Sequence, residues 1–292
     1  MGPGSMHVER YGHGSSAIVL LHGFPTSAFL WRDVGVRLAR QRHVVYAPDL
    51  FGYGESDRPF DADFGVAAQA EYLDRALTQL RVQQATVVGV DLGGTVALRL
   101  AATRPERVSR LVLINAGAFD ELPGRDVRAL EGLAVRHSLR IARSVTGAAP
   151  LLGRLLERSV ANPGETMPAR LMGRYLAPFV GQEGVAHLYA LARAIRSAEV
   201  EEIALEEIAA PALVVRSQLD EWLDETVAER LVQVLPNARL LRVPSAARLL
   251  PEERPELVAE FIHDFDAESM QENGEPVPNE VVQEVEVDGD TR

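Results

Sequence analysis

The sequence predicts an α/β protein, with a doubly wound, mostly parallel sheet and a helical segment inserted late in the chain. Three observations point there. Short runs rich in Val, Ile and Leu recur along the chain, and helical patterns lie between them. One run, Thr86–Val90, leads through a glycine-flanked Asp91 straight into a helix-like stretch. Strands that alternate with helices argue for a parallel sheet covered on both faces.

In chain order the strand-like runs are Ala17–Leu21, His43–Ala47, Thr86–Val90, Arg110–Ile114, Ala212–Arg216 and Arg239–Val243. Each is short and apolar, as strands buried on both sides are. Val66, Ala70, Leu73, Leu77 and Leu80 recur at the spacing of one helix face. Leu257, Val258, Phe261, Ile262 and Phe265 do the same near the end. The alternation stops over residues 119–208, a stretch of helical character broken by Pro123, Pro150, Pro163, Pro168 and Pro178. An insertion there lies over the C-terminal ends of the strands, where open α/β sheets bind ligands.

Composition narrows the function classes. The 292 residues, 47% hydrophobic, suffice for one large core with an inserted cap. There is no cysteine, so disulfides, thiolate catalysis and thiolate metal sites are excluded. No apolar run approaches the ~20 residues of a membrane span. Met1 to Met6 reads as a cloning remnant with Met6 as the native start, and a cytoplasmic protein is the expectation. All 30 basic residues are arginine, which points to a high-GC genome. The net charge is −12, but residues 266–292 hold nine acids and one arginine, so the body before them carries only −4. That acidic tail reads as disordered and solvating, and the acidic balance argues against nucleic-acid binding. The expected organisation is a core of residues 7–118 and 209–265, a helical cap of 119–208 and the tail of 266–292.

A tight strand-turn-helix elbow needs small residues around its central side chain, and Gly89, Gly93 and Gly94 supply them. Asp91 then projects above the sheet at a helix N-terminus, which favours its anionic form. The segments Leu21-His22-Gly23-Phe24-Pro25-Thr26-Ser27 with Leu30-Trp31-Arg32, Ala47-Pro48-Asp49-Leu50-Phe51-Gly52-Tyr53-Gly54-Glu55-Ser56-Asp57 and Arg104-Pro105-Glu106-Arg107-Val108 accompany it. Together they resemble the aspartate-nucleophile branch of the α/β-hydrolase fold, the epoxide hydrolases and haloalkane dehalogenases. The resemblance covers about residues 8–118 and 209–265.

That resemblance implies an Asp91 that attacks carbon and an ester hydrolysed by histidine-activated water. It puts the oxyanion hole at the N–H groups of Phe24 and Leu92 and the orienting acid at Asp220, with Glu221 and Asp224 as competitors. His22, expected to brace its loop, joins Phe24, Trp31, Leu92, Asn115 and His187 as candidate pocket residues. Asn115 stands at the family's alternative acid site, where it can hydrogen-bond but supplies no charge. Tyr175 and Tyr189 are the cap candidates for protonating an epoxide oxygen. A dehalogenase is disfavoured, because the halide-holding positions are Phe24 and Leu92, which have no side-chain donor.

One departure dominates. In Val243-Pro244-Ser245-Ala246-Ala247-Arg248, with Glu253 and Pro255 holding the register, the histidine position is Arg248. Arginine stays protonated and takes no proton from water. Between Asp91 and Asp220 it would form an Asp–Arg–Asp array of net charge −1 and keep Asp91 ionised, a weak base suited to an already acidic proton. The expectation is therefore a cofactor-free, metal-free, non-hydrolytic enzyme. It would act on an apolar, polycyclic metabolite bearing an epoxide or carbonyl, with Asp91 as base or orienting carboxylate. A homodimer is compatible with this; no nucleic-acid or membrane partner is expected. The alternatives are a true epoxide hydrolase that recruits His187 or His137, a cofactor-free oxygenase, and a catalytically inactive ligand-binding protein in which Arg248 only neutralises buried carboxylates.

Overall fold

The computed structural model describes residues 4–59, 61–125, 127–128, 149–268 and 283–284. His137, residues 129–148 of the expected cap and most of the acidic tail lie outside them. The strands are β1 (Val8–Tyr11), β2 (Ser16–Leu21), β3 (His43–Pro48), β4 (Ala85–Val90), β5 (Val108–Ile114), β6 (Ala212–Ser217), β7 (Ala238–Val243) and β8 (Gln283–Glu284). They form one sheet in the order β1-β3-β2-β4-β5-β6-β7-β8. All pairs are parallel except β1 against β3.

Each of the six predicted strands is present, with ends shifted by one or two residues. The apolar pattern does not predict β1: Val-Glu-Arg-Tyr is short and half polar, as suits an edge. Two corrections concern the tail. The last helix runs Pro255–Ala267, and the Asp266 carboxylate accepts hydrogen bonds from Ser16 Oγ (2.7 Å) and Thr86 Oγ1 (2.5 Å), so residue 266 belongs to the core. Gln283–Glu284 pairs with β7, supplying partners for backbone groups that an open edge would leave unpaired. At the other end, Ser5 is tied to Asp57 by its N–H (2.6 Å) and its hydroxyl (3.0 Å).

Alternation along the strands divides the core in two. Val19, Leu21, Val87, Leu111, Leu113 and Val214 face α2 (Val66–Gln79), α3 (Leu92–Thr103) and the helix Thr226–Val234. Ile18, Leu20, Val88, Val90, Val112 and Val215 face α1 (Arg32–Arg40) and the helix Pro255–Ala267. Val66, Ala70, Leu73 and Leu77 make the buried face of α2, but Leu80 caps its end and is exposed. The helices inserted between β5 and β6 contribute to both halves: Leu188 and Leu191 to the first, Met172 and Tyr175 to the second. Among the described residues no helix is long and apolar enough to cross a membrane.

The strand order reverses between β2 and β4, which pair from Ile18↔Thr86 to Leu21↔Gly89. Their C-terminal ends therefore border the crevice where such sheets hold ligands. His22, Gly23 and Phe24 leave β2 there, and Asp91 leaves β4.

Candidate active site

Asp91 has φ 53 and ψ −121, a backbone conformation that L-residues rarely adopt. The glycines make the turn possible. A Cβ on Gly89 would lie 2.3 Å from the Gly93 carbonyl oxygen, and one on Gly93 would lie 2.4 Å from that of Leu21. One on Gly23 would meet the Asp91 carboxylate at 2.6 Å. The elbow is tied back to the sheet by Asp91 N–H on the Ile114 carbonyl (3.1 Å) and by Thr95 Oγ1 on that of Gly117 (2.6 Å).

The Asp91 side chain is buried and held through both oxygens. Oδ2 accepts the Phe24 backbone N–H at 2.8 Å, and Oδ1 is in direct ion-pair contact with Arg248 Nη2. Leu92, the other expected oxyanion donor, opens α3 and is buried. Arg248 is 2% exposed, so the charges meet away from bulk solvent. Its loop is anchored on both sides. The Arg248 carbonyl accepts Asn115 Nδ2 (3.1 Å), and the Glu253 carboxylate accepts the Ala247 N–H (2.7 Å) and the Ala161 N–H. Burial raises the Glu253 carboxyl above the ordinary value, against the pull of those two amides.

Asp220 is buried on the loop after β6, and its carboxylate accepts Arg216 Nη1 (3.0 Å) and the Trp222 N–H (2.9 Å). The motif reading does not include Arg216. With it, the three-group array of charge −1 gains a second cation, and the four groups Asp91, Arg248, Asp220 and Arg216 are neutral in sum. A signal for it is present in the sequence: an arginine inside the fully buried Ala-Leu-Val-Val-Arg-Ser strand demands a counter-charge.

Several predicted pocket residues are occupied elsewhere. Asn115 donates from Nδ2 to Ser217 Oγ (3.0 Å) and accepts the Ser217 N–H at Oδ1 (2.8 Å), so it braces β6 and the Arg248 loop and offers a ligand little. His22 bonds the Gly23 carbonyl through Nδ1 (3.0 Å) and accepts the Leu50 N–H at Nε2 (2.9 Å). That pattern sets the neutral tautomer, and burial pulls its pKa below the usual imidazole value. Trp31 is fully buried in the second half-core, where it packs with Leu30, Val34 and Leu38. The Tyr175 hydroxyl donates to Glu252, whose carboxylate also takes Arg32 Nη1 (2.7 Å) and Nη2 (2.8 Å), so Tyr175 is a packing residue and not a free acid. Tyr189 is half-buried against the first half-core. His187 directs Nε2 at the Gly52 carbonyl (2.5 Å) and stacks on Phe179. His43 and His263 bond each other (2.8 Å) beside Asp266, while His7 and His13 are exposed near β1. Among the described residues, each histidine with a hydrogen bond thus spends it away from Asp91.

Tyr53 is a second site neighbour that the motifs do not single out. Its ring is buried and stands edge-on to His22 (centroids 5.2 Å apart) and Phe24 (6.5 Å). Flanked by Gly52 and Gly54, it looks in sequence like part of a turn.

Comparison with known proteins agrees with this fold. The family model described as alpha/beta hydrolase fold matches residues 16–255. The chain belongs to that family. An uncharacterised hydrolase of Bacillus subtilis, YugF, is 28% identical over 264 residues, covering 89% of this chain and 94% of that protein. A haloalkane dehalogenase of Mycobacterium marinum is 34% identical over 165 residues, 56% of this chain and 51% of its own. An alpha/beta hydrolase fold protein from Burkholderia ambifaria superposes with TM-score 0.80 at 27% identity, over 90% of this chain and 95% of that one. The epoxide hydrolase CorEH superposes with TM-score 0.76 at 22% identity, over 92% and 96%, a likeness of fold.

Proposed function

We propose that this hydrolase-fold protein is a cofactor-free, non-hydrolytic enzyme that isomerises an apolar, polycyclic metabolite carrying an epoxide or carbonyl. The observation that carries the proposal is the guanidinium of Arg248 on Asp91 Oδ1. Oδ2 accepts the Phe24 N–H and Oδ1 meets the guanidinium, so in this proposal Oδ1 acts as the base next to a permanent cation. Attack on carbon would cancel one charge of that buried pair and give an ester with no histidine seen beside it among the described residues. As a weak base, the same oxygen takes an already acidic proton, such as that of a phenol or a 1,3-dicarbonyl, and the ion pair survives in altered form. The apolar character of Phe24 and Leu92 supports an apolar ligand and disfavours halide chemistry. The inserted helices, which reach both halves of the core, serve in this proposal as a cap over the ligand.

The test uses 2-(oxiran-2-ylmethyl)phenol, an epoxide with an internal phenol, in oxygen-18 water. The expected product is its cyclised isomer, of unchanged mass and without label, at a rate that Asp91→Asn abolishes. A ring-opened diol with one labelled oxygen overturns the proposal in favour of hydrolysis by a recruited histidine. Oxygen consumption overturns it in favour of an oxygenase. Product formation by Asp91→Asn at the wild-type rate overturns the role of Asp91, and none by the wild type leaves a binding protein.

A further inference from the structure

We infer that Tyr53 is a further catalytic residue, whose hydroxyl gives its proton to the substrate oxygen released as the epoxide opens. This rests on the isomerase function proposed above and reassigns the acid from the inserted helices to the loop after β3. Tyr53 is 1% exposed, and its hydroxyl has no hydrogen-bond partner among the described residues. A buried hydroxyl is costly to leave unsatisfied, so such a donor is expected where a ligand completes it.

The position of the ring is tightly held. Gly52 (φ 89) and Gly54 (φ 50) adopt conformations that favour glycine, and a Cβ on Gly54 would collide with the Asp49 carboxylate at 2.2 Å. Between them the ring packs against His22 and Phe24, the two neighbours of Gly23. Gly23 is the residue whose missing Cβ makes room for Asp91, and the Phe24 N–H holds Asp91 Oδ2. Tyr53 thus stands against His22 and Phe24, the residues on either side of the Gly23 that makes room for the carboxylate. Burial, reinforced by the charge of Asp91, raises the phenol above its ordinary value and keeps it a protonated donor. The rival tyrosine, Tyr175, has already given its hydroxyl to Glu252.

The step balances within the substrate and two side chains. The internal O–H bond breaks and its proton goes to Asp91 Oδ1. The freed oxygen pair forms the new C–O bond. The epoxide C–O bond breaks, its electron pair stays on oxygen, and that oxygen takes the Tyr53 proton. Transfer from protonated Asp91 back to the Tyr53 phenolate, directly or through solvent, closes the cycle with no other reactant.

The experiment compares wild type, Tyr53→Phe and Asp91→Asn on 2-(oxiran-2-ylmethyl)phenol, with kcat, KM and thermal melting measured for each. For Tyr53→Phe the expected result is a kcat lower by ~10²–10⁴-fold, the range of a positioned general acid, with KM little changed. Its melting temperature should be equal to or above that of the wild type, since the lost hydroxyl has no partner to leave behind. An unchanged kcat in Tyr53→Phe with an inactive Asp91→Asn overturns the role of Tyr53 and leaves the isomerase intact. Loss of activity together with a lowered melting temperature assigns Tyr53 a structural role and also overturns the inference. If both variants turn over like the wild type, the isomerase itself fails.

Discussion

Replacing Arg248 by histidine restores the proton shuttle that the fold's aspartate branch uses, and its effect follows from the contact at Asp91. In the wild type, nucleophilic attack by Oδ1 removes the negative member of an ion pair whose side chains are 2% and 6% exposed. Removing one partner of a buried pair costs about 3–5 kcal/mol. At 1.36 kcal/mol per decade this slows ester formation by ~10²–10⁴-fold. Among the described residues no histidine is seen to hydrogen-bond Asp91, and a base for deacylation ordinarily contributes another ~10²–10⁴-fold. Arg248→His removes the first obstacle and supplies the missing base; being shorter than the guanidinium, the imidazole also leaves room for water. Diol formation from trans-stilbene oxide should therefore rise by at least ~10²-fold, with one labelled oxygen from oxygen-18 water. Arg248→Gln removes the charge without adding a base, so it should show a persistent Asp91 adduct by intact-mass measurement and little turnover. A folded but inert Arg248→His would refute this account of the arginine. So would a wild-type protein that already makes diol at the variant's rate.

Three further outcomes are expected. Tyr175→Phe removes a hydrogen bond to a charged acceptor and should lower stability by about 1–2 kcal/mol in urea unfolding, with turnover unchanged; a large loss of kcat at full stability would return Tyr175 to the site. Gly93→Ala forces a methyl against the Leu21 and His22 carbonyls at 2.4 and 2.5 Å. It should cost about 3 kcal/mol or prevent folding, whereas Gly164→Ala, with nothing within 4 Å, should be neutral or stabilising by about 0.4–1 kcal/mol, and equal melting of the two variants would contradict the close packing of the elbow. Burial depresses His22, His43 and His187 below the usual imidazole value. The unfolded chain then binds more protons, so stability is present above the unfolded value and lost as pH falls through the folded one; melting temperatures should drop between about pH 7 and 5, and a flat profile would contradict it.

What can be read in the sequence is local. The elbow, the six apolar strands and the arginine at the histidine position are patterns of neighbouring residues, and the structure brings Arg248 onto Asp91. The misreadings concern partners far away in the chain. Tyr175 looks free in sequence because Glu252, which holds it, lies 77 positions on. Asn115 looks available because Ser217 and the Arg248 carbonyl come from other strands and loops. Arg216 reads as one polar residue in a strand, although burial on every side makes a counter-charge necessary. Tyr53 reads as part of a turn, and only the ring packing against His22 and Phe24 shows where it stands.

Glu253 joins two parts of the protein that sequence alone would treat as independent. Its carboxylate grips the amide of Ala161, in the inserted segment, and that of Ala247, next to Arg248. Alongside it the Leu249 N–H reaches the Ser159 carbonyl at 2.9 Å, and Trp222 Nε1 reaches Ser159 Oγ at 3.1 Å. Residues 159–161 therefore cannot lift away without loosening the strap that carries the guanidinium. A displacement of that segment would therefore be felt at the cation's hold on Asp91.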